Sequence, residues 1–255
     1  MKQTLFLLML YFSLAEEITG QDSIDYRIIL LGSAGEINAA QKSVLEKAAR
    51  QTISNKTIVL FLGNNIKPKG IGLPGDKAER SSEDILRSQY TEFRKKKIPV
   101  YFIPGNDDWD NGGPDGYKKI IRFNEFIKEQ NDSLLQIVPK DACPGPFELN
   151  LNDNLVVVAM DSEWWLYPFD KHMEESDCEC KKMQDALIKL DDIIQRNYNK
   201  TIILATSHSF KSYGPHGGYY PLKQHLFPLT RFNKNLFIPL PVVGSIYPLF
   251  RKTFP

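Results

Sequence analysis

The feature that most constrains the fold is an apolar run at residues 98–104 that leads straight into Gly-Asn-Asp-Asp-Trp at residues 105–109. A short apolar run of this kind is typical of a buried strand. When a strand ends in Gly-Asn followed by acids, it delivers polar side chains to the carboxyl edge of a sheet. Open α/β folds place their ligand sites at that edge. This stretch therefore predicts an α/β fold with a site at the strand end.

The rest of the chain alternates apolar strands with amphipathic helices. Other apolar runs of strand length lie at residues 26–31, 57–62 and 201–205. Apolar residues at helical spacing indicate helices near residues 40–49, 82–93 (capped at Ser82), 117–129 and 186–194. Residues 147–151 and 155–160 flank Asn-Asp-Asn, which is a hairpin signal. We expect one α/β layered domain with a mainly parallel sheet covered on both faces.

The charge balance argues against a nucleic-acid partner. The 255 residues carry a formal net charge of only +1, and 25% of them are charged. Proteins that bind nucleic acid usually concentrate positive charge on one face. The one dense basic run, Arg94 to Lys97, closes a predicted helix, where positive charge complements the helix dipole. We therefore predict no nucleic-acid partner.

Residues 1–21 have the pattern of a secretory signal peptide. Lys2 supplies the positive charge, residues 5–14 form a short apolar core, and Ser13-x-Ala15 places small residues at a cleavage site. The apolar run is too short for an ordinary membrane span. We predict export to a periplasmic, envelope-associated or extracellular location, with an uncleaved anchor as the alternative. The folded domain is then residues 22–255.

Three cysteines remain in the predicted domain, namely Cys143, Cys178 and Cys180. In an oxidising compartment they predict one disulfide and one odd thiol. The favoured bridge joins Cys143 to either member of the closely spaced pair. A Cys-x-Cys metal site is a weaker interpretation, because no further thiol or suitably spaced histidine accompanies it.

Two apolar segments receive structural interpretations. Trp164, Trp165 and Tyr167 follow a predicted strand, and we expect them to cap the core rather than line a ligand pocket. The apolar tail at residues 236–250 is interrupted by Pro239, Pro241 and Pro248, so we expect packed loop or short strand there.

Glycine-rich or polar loops follow the predicted strands in a characteristic order. They are Gly-Ser-Ala-Gly at 32–35, Gly-Asn-Asn-Ile-Lys-Pro-Lys-Gly at 63–70, Gly-Asn-Asp-Asp-Trp at 105–109, Thr-Ser-His-Ser at 206–209 and Gly-Pro-His-Gly-Gly at 214–218. In order and spacing this set resembles the calcineurin-like metallophosphoesterases, in their purple-acid-phosphatase-like branch. The resemblance covers the chain from about residue 26 onward. It implies a layered α/β sandwich that hydrolyses phosphoesters with two divalent metals, either Fe, Zn or Mn.

Most of the metal-ligand positions that the resemblance implies carry other residues here. Ser33 and Asn64 stand where the family has aspartates, the second of which bridges both metals. Lys67 stands at the position of a tyrosine ligand, and Ser207 at that of a histidine ligand. Only Asn106 is retained. Two clustered dications without a bridging carboxylate repel each other strongly, so we expect no tightly bound cofactor.

The catalytic positions of the family also differ. Asp107 replaces the family's catalytic histidine, His208 fills a variable position, and His216 lies in the fifth loop. These three are the candidate catalytic residues. The family's final Gly-His-x-His element is not found before Pro255, which makes the domain look C-terminally shortened.

The resemblance and the departures together predict an exported, catalytically impaired phosphoesterase homologue that acts as a binding or scaffold module. Lys67 and Lys69 are candidate contacts for a phosphate or phosphoester, and an envelope protein is a candidate partner. The alternative is an active phosphoric-ester hydrolase with an altered or mononuclear site. The acids at 107, 108 and 110 could hold a single weakly bound divalent cation through oxygen ligands. A structural remnant is the third hypothesis.

Overall fold

A parallel sheet of four strands forms the centre of the fold. The structure is a computed structural model that describes residues 24–214, 219–231 and 233–253, so the predicted signal peptide and His216 lie outside the described residues. The strands of this sheet run in the order β1 (Arg27–Leu31), β2 (Thr57–Leu62), β3 (Val100–Ile103) and β4 (Leu135–Ile137). Each pairs in parallel with its neighbour. Their carboxyl ends therefore lie at one edge.

Helices cover one face of this sheet. They are α1 (Ala39–Arg50), α2 (Glu79–Lys95) and α3 (Gly116–Glu129). The core beneath them is aromatic. Phe102 stacks on Phe61 at 4.8 Å between ring centroids, and Phe123 meets Phe102 edge-on at 5.6 Å. Residues that alternate along β2 and β3 point into this layer, as the period of a strand requires.

A second sheet covers the other face of the parallel sheet. It is built from β5 (Phe147–Asn152), β6 (Leu155–Ala159) and β7 (Thr201–Ala205), with β5 antiparallel and β7 parallel to β6. Side chains from both sheets share one core cluster, including Leu60 and Ile103 from the first sheet and Val157 and Ala205 from the second. The two sheets are therefore packed face to face.

The outer face of the second sheet carries α5 (Met183–Arg196), which follows the short helix α4 (Glu163–Leu166). Ala186 of α5 packs against Met160, and Asn197 donates from Nδ2 to the Glu148 carboxylate at 2.8 Å. The layers thus run helix, sheet, sheet, helix. The predicted α/β class with mainly parallel sheets flanked by helices is confirmed. We expected helices on both faces of the parallel sheet. Helices cover only one face, and the second sheet covers the other.

Ser82 was expected to cap a helix, but it lies inside one. Helix α2 begins at Glu79, and the Ser82 side chain is buried. Its hydroxyl donates to the carbonyl of Glu79 at 2.7 Å and accepts from the N–H of Gly72 at 2.8 Å. Ser82 therefore ties the preceding loop to the first turn of α2.

The prediction of loop or strand for the apolar tail agrees with the structure over residues 236–242 and is wrong over residues 243–250. The second part of the tail lies in α7 (Val243–Thr253), with Pro248 inside this helix. The helix α6 (Leu222–Leu226) and a 3-10 turn at Pro228–Arg231 precede the tail. Proline removes one helical hydrogen bond, but tertiary packing offsets that loss. α7 approaches α6 so closely that a Cβ on Gly244 would lie 2.3 Å from the carbonyl oxygen of His225.

Cys143 forms a disulfide with Cys178, and Cys180 is a buried free thiol. The predicted bridge from Cys143 to one of the closely spaced pair is confirmed. A disulfide is typical of proteins in oxidising compartments, so its presence is consistent with export. Within the described parts of the chain, no helix combines the length and apolar character needed to cross a membrane.

The aromatic layer provides a test of the core assignment. Phe102 is fully buried, so Phe102→Ala leaves a cavity, and we expect it to lower the free energy of unfolding by about 3–5 kcal/mol. Phe210→Ala is the control, because 73% of that side chain is exposed and exposed sites change stability by only about 0.5 kcal/mol. Urea denaturation measures both variants. Equal losses would contradict the core assignment.

Candidate functional site

Loops from both sheets meet at one edge of the fold, and we call this region the strand-end site. It comprises residues 32–35 after β1, 63–70 after β2, 105–109 after β3 and 206–209 after β7. Within this site, Ser207, which follows β7 of the second sheet, contacts the loops that follow β2 and β3. A Cβ on Gly63 would lie 2.2 Å from Ser207 Oγ, and one on Gly105 would lie 2.6 Å from the same oxygen. Both positions therefore require glycine.

The first two loops are also joined directly. The Ser33 N–H donates to the carbonyl of Gly63 at 3.1 Å, and the Lys67 N–H donates to the carbonyl of Gly35 at 3.0 Å. Ser33 and Asn64 both have left-handed backbone conformations, with φ of 57° and 54°. Residues other than glycine seldom adopt this region, and they do so most often at tight turns and functional sites.

The third loop is placed against the second by Asn64. Its Oδ1 accepts the N–H of Asp107 at 3.3 Å, while Asn106 donates from Nδ2 to Asn111 Oδ1 at 3.0 Å. Burial raises the pKa of the Asp107 carboxyl, while the positive charge of Lys67 acts to lower it. Lys67 and Asp107 are thus electrostatic neighbours. The structure brings all the positions with predicted ligand roles into this region.

The donors at these positions do not suit a pair of divalent metals. Ser33, Asn64 and Ser207 offer neutral hydroxyl or amide groups, and Lys67 contributes a positive charge. Paired divalent cations require anionic ligands, including one that bridges them. Among the residues that the structure describes, no group of three or more His, Cys, Asp or Glu side chains is placed to hold a metal ion.

The acids at 107, 108 and 110 are directed to different partners. Asp108 is buried and accepts the backbone N–H groups of Gly105, Asn65 and Ile66 at 2.9–3.0 Å. Burial raises its pKa to about 7, and these N–H donors oppose that rise. Asp110 pairs with Lys119 at 2.6 Å. Two carboxylates of the predicted cation cluster are therefore committed to structural contacts.

Lys69 lies exposed at the end of the second loop, and its carbonyl accepts from Lys119 Nζ at 2.6 Å. The anion contact of its ammonium group stays a prediction.

Trp164 and Tyr167 are buried, and Tyr167 packs on Trp109 with 4.8 Å between ring centroids. Their predicted role as a structural cap is confirmed.

Sequence reasoning singled out the aromatic residues that follow β6 but not the polar residues 161–163 before them. Asp161 is buried and accepts from Trp109 Nε1 at 2.9 Å and from the Glu163 N–H at 3.0 Å. Burial raises its pKa to about 7. Asp-Ser-Glu at 161–163 directly follows a buried strand, which is the same signal that identified the other loops.

His208 faces this segment. Its Nδ1 lies 2.9 Å from Ser162 Oγ, its backbone N–H donates to that oxygen at 3.1 Å, and its Nε2 lies 3.5 Å from Glu163 Oε2. Glu163 is buried, which raises its pKa to about 7. The imidazole therefore joins a hydroxyl on one side to a carboxyl on the other. His216, the other histidine candidate, lies outside the described residues.

No known protein-family model matches the chain, and no curated protein matches it in sequence. The argument for a function therefore comes from the residues and their geometry.

Glu163 gives the site a testable pH dependence. Its pKa rises from 4.5 to about 7 on folding, so between these values the folded state holds a proton that the unfolded chain has released. The free energy of unfolding must then fall as pH rises through this window. Relative to Glu163→Gln, we expect the free energy of unfolding of the wild type to fall by up to about 2 kcal/mol across this window. Water near the exposed part of His208 screens the interaction, so the change is smaller than the full pKa shift would give.

Urea denaturation of both proteins between about pH 4.5 and pH 7.5 measures this difference. The glutamine variant carries no titrating group at this position, so the acids that do not interact with Glu163 cancel in the comparison. The Glu163 charge also raises the pKa of the buried Asp161, which changes the wild type in the same direction. A difference that stays constant, or that grows in favour of the wild type as pH rises, would contradict the assignment.

Proposed function

We propose that this chain is an exported member of the calcineurin-like metallophosphoesterase family whose strand-end site binds a phosphate or phosphoester without metal-dependent turnover. The order of the strand-end loops supports the family, and the layered α/β fold with a mainly parallel sheet is consistent with it. The convergence of neutral donors and one lysine at the former ligand positions supports a binding role.

The donor set is the observation that carries the proposal. Phosphate oxygens accept hydrogen bonds from hydroxyls, amides and ammonium groups, and charged donors give the strongest of these bonds. Ser33 and Ser207 supply hydroxyls. Asn64 uses Oδ1 for the Asp107 N–H, which leaves its Nδ2 as a donor. Lys67 then supplies the positive charge that the metals supply in active members of the family.

The surroundings of Lys67 limit the affinity and favour an ester. The Lys67 charge acts on the Asp107 carboxyl and lowers its pKa, so the Asp107 carboxylate partly neutralises the lysine. A cavity of about 250 Å³ adjoins the first loop and is lined by Ser33, Glu36 and Lys67 among others. It offers room for the organic group of a phosphoester. We therefore expect weak binding of inorganic phosphate and stronger binding of a phosphomonoester.

Calorimetry on the protein in a chelator tests this proposal. We expect heat of binding with a phosphomonoester, and about tenfold or more weaker binding in Lys67→Met because a charged hydrogen bond is lost. Lys69→Met tests the second predicted contact. Lys47→Met, an exposed lysine on α1, is the control and should bind like the wild type. If the wild type gives no detectable heat, the proposal fails.

The alternative is an active phosphoesterase with one metal, and it is favoured by the Asp107 carboxylate beside the retained Asn106. Turnover of a phosphomonoester and a phosphodiester, measured with Fe, Zn or Mn added, separates the two functions. We expect no metal-dependent turnover. Stoichiometric bound metal, together with activity that Asn106→Ala abolishes, would establish the alternative instead. An envelope protein partner stays a prediction.

A further inference from the structure

We propose that Ser162, His208 and Glu163 form a metal-independent nucleophilic site that reacts with carboxylic esters through Ser162 Oγ. The site lies between the loops that follow β6 and β7. It does not rest on phosphate binding at the strand-end site, because none of its three side chains contributes to that donor set.

The contacts of Ser162 and His208 place the serine hydroxyl beside a ring nitrogen that can take its proton. Ser162 Oγ accepts the backbone N–H of His208 at 3.1 Å and lies 2.9 Å from Nδ1 of the same residue. A hydroxyl has one hydrogen and two acceptor lone pairs, so it donates to Nδ1 when Glu163, on the far side of the ring, holds the imidazole proton on Nε2. The neutral imidazole then carries its own proton on Nε2. His208 is therefore placed as the general base for Ser162.

Glu163 completes the arrangement on the opposite side of the ring. Its Oε2 lies 3.5 Å from Nε2, and its side chain is only 8% exposed. A buried carboxylate at this position selects the tautomer with the proton on Nε2 and stabilises the imidazolium that forms when Nδ1 takes a proton. A nucleophile, a base and a group that orients the base are the parts of a nucleophilic site. The two ring nitrogens exchange the roles they have in serine proteases.

The surrounding structure holds these groups while leaving them accessible. The Met160 N–H donates to the carbonyl of Ala205 at 3.0 Å, which joins the ends of β6 and β7. Asp161 is anchored by Trp109 at 2.9 Å, and Thr206 Oγ1 donates to the carbonyl of His208 at 2.6 Å. The His208 side chain is 40% exposed, and Ser162 is half-buried. A substrate can therefore approach from solvent.

The reaction conserves atoms and charge. Ser162 Oγ attacks the ester carbonyl carbon while its proton moves to His208 Nδ1. The bond from the carbonyl carbon to the alcohol oxygen then breaks, and the leaving alcohol takes the proton from Nδ1. Water attacks the acyl-serine by the reverse route, which releases the carboxylic acid and returns the proton to Oγ. Water is the one co-reactant.

A fluorophosphonate probe tests the nucleophile directly. The full chain is treated with the probe in a chelator at about pH 8, where the Glu163 carboxyl is ionised, and the adduct is mapped by mass spectrometry. We expect one adduct, on Ser162. Ser162→Ala and His208→Gln should abolish labelling, whereas Ser43→Ala, at an exposed serine of α1, should label at the wild-type rate.

Glu163 is a positioning residue, so its test needs a readout beyond stability. We expect Glu163→Gln to slow labelling and 4-nitrophenyl acetate hydrolysis by about tenfold or more, and Glu163→Asp to restore part of the rate. Mapping on the wild type decides the matter even if a variant fails to fold. Absence of an adduct, an adduct on another residue, or equal labelling of a folded Ser162→Ala protein would each overturn the proposal.

Discussion

The strand-end site depends on the buried carboxylate of Asp108. It accepts the backbone N–H groups of Asn65 and Ile66 from the second loop and that of Gly105 from its own loop. These N–H groups lie in the interior, where an unpaired donor costs about 1–3 kcal/mol. One side chain therefore fixes the second loop against the third. The positions of Asn64, Lys67 and Asn106 all follow from that contact.

This constraint explains how the loops keep their arrangement with such different side chains at the predicted ligand positions. Asp108 and Asn65 form the contact with their own side chains and backbone, and neither stands at a position where the family resemblance implies a metal ligand. Ser207 adds the contact with the second sheet through the two glycines that have no room for a Cβ. The scaffold of the site and its chemistry therefore reside in different residues. Under the proposed family assignment, metal ligands could be lost without collapse of the loops.

The sequence predicted which segments form strands and helices better than it predicted which distant segments contact each other. Strands such as β2 were located because buried strands read as unbroken apolar runs, and the loops that follow the strands carried the site. The hairpin of β5 and β6 was predicted, but the pairing of β6 with β7 was not, because it depends on contacts across two intervening helices. Spacing alone could not choose between Cys178 and Cys180. The choice follows from packing, since Cys180 is buried against Met160 and Ala186.

The contact between Ser162 and His208 escaped sequence reasoning for the same reason, since the two residues lie far apart in the chain. The loop that follows β7 contacts two different groups of residues. Ser207 lies against Gly63 and Gly105 in the strand-end site, while the next residue, His208, contacts Ser162 and Glu163. The chain bends at Ser207 and His208, after the end of β7, so the two side chains reach different neighbours. A change of residue at Ser207 can therefore alter phosphate binding while the imidazole keeps its partners, so the two proposed chemistries can be tested separately.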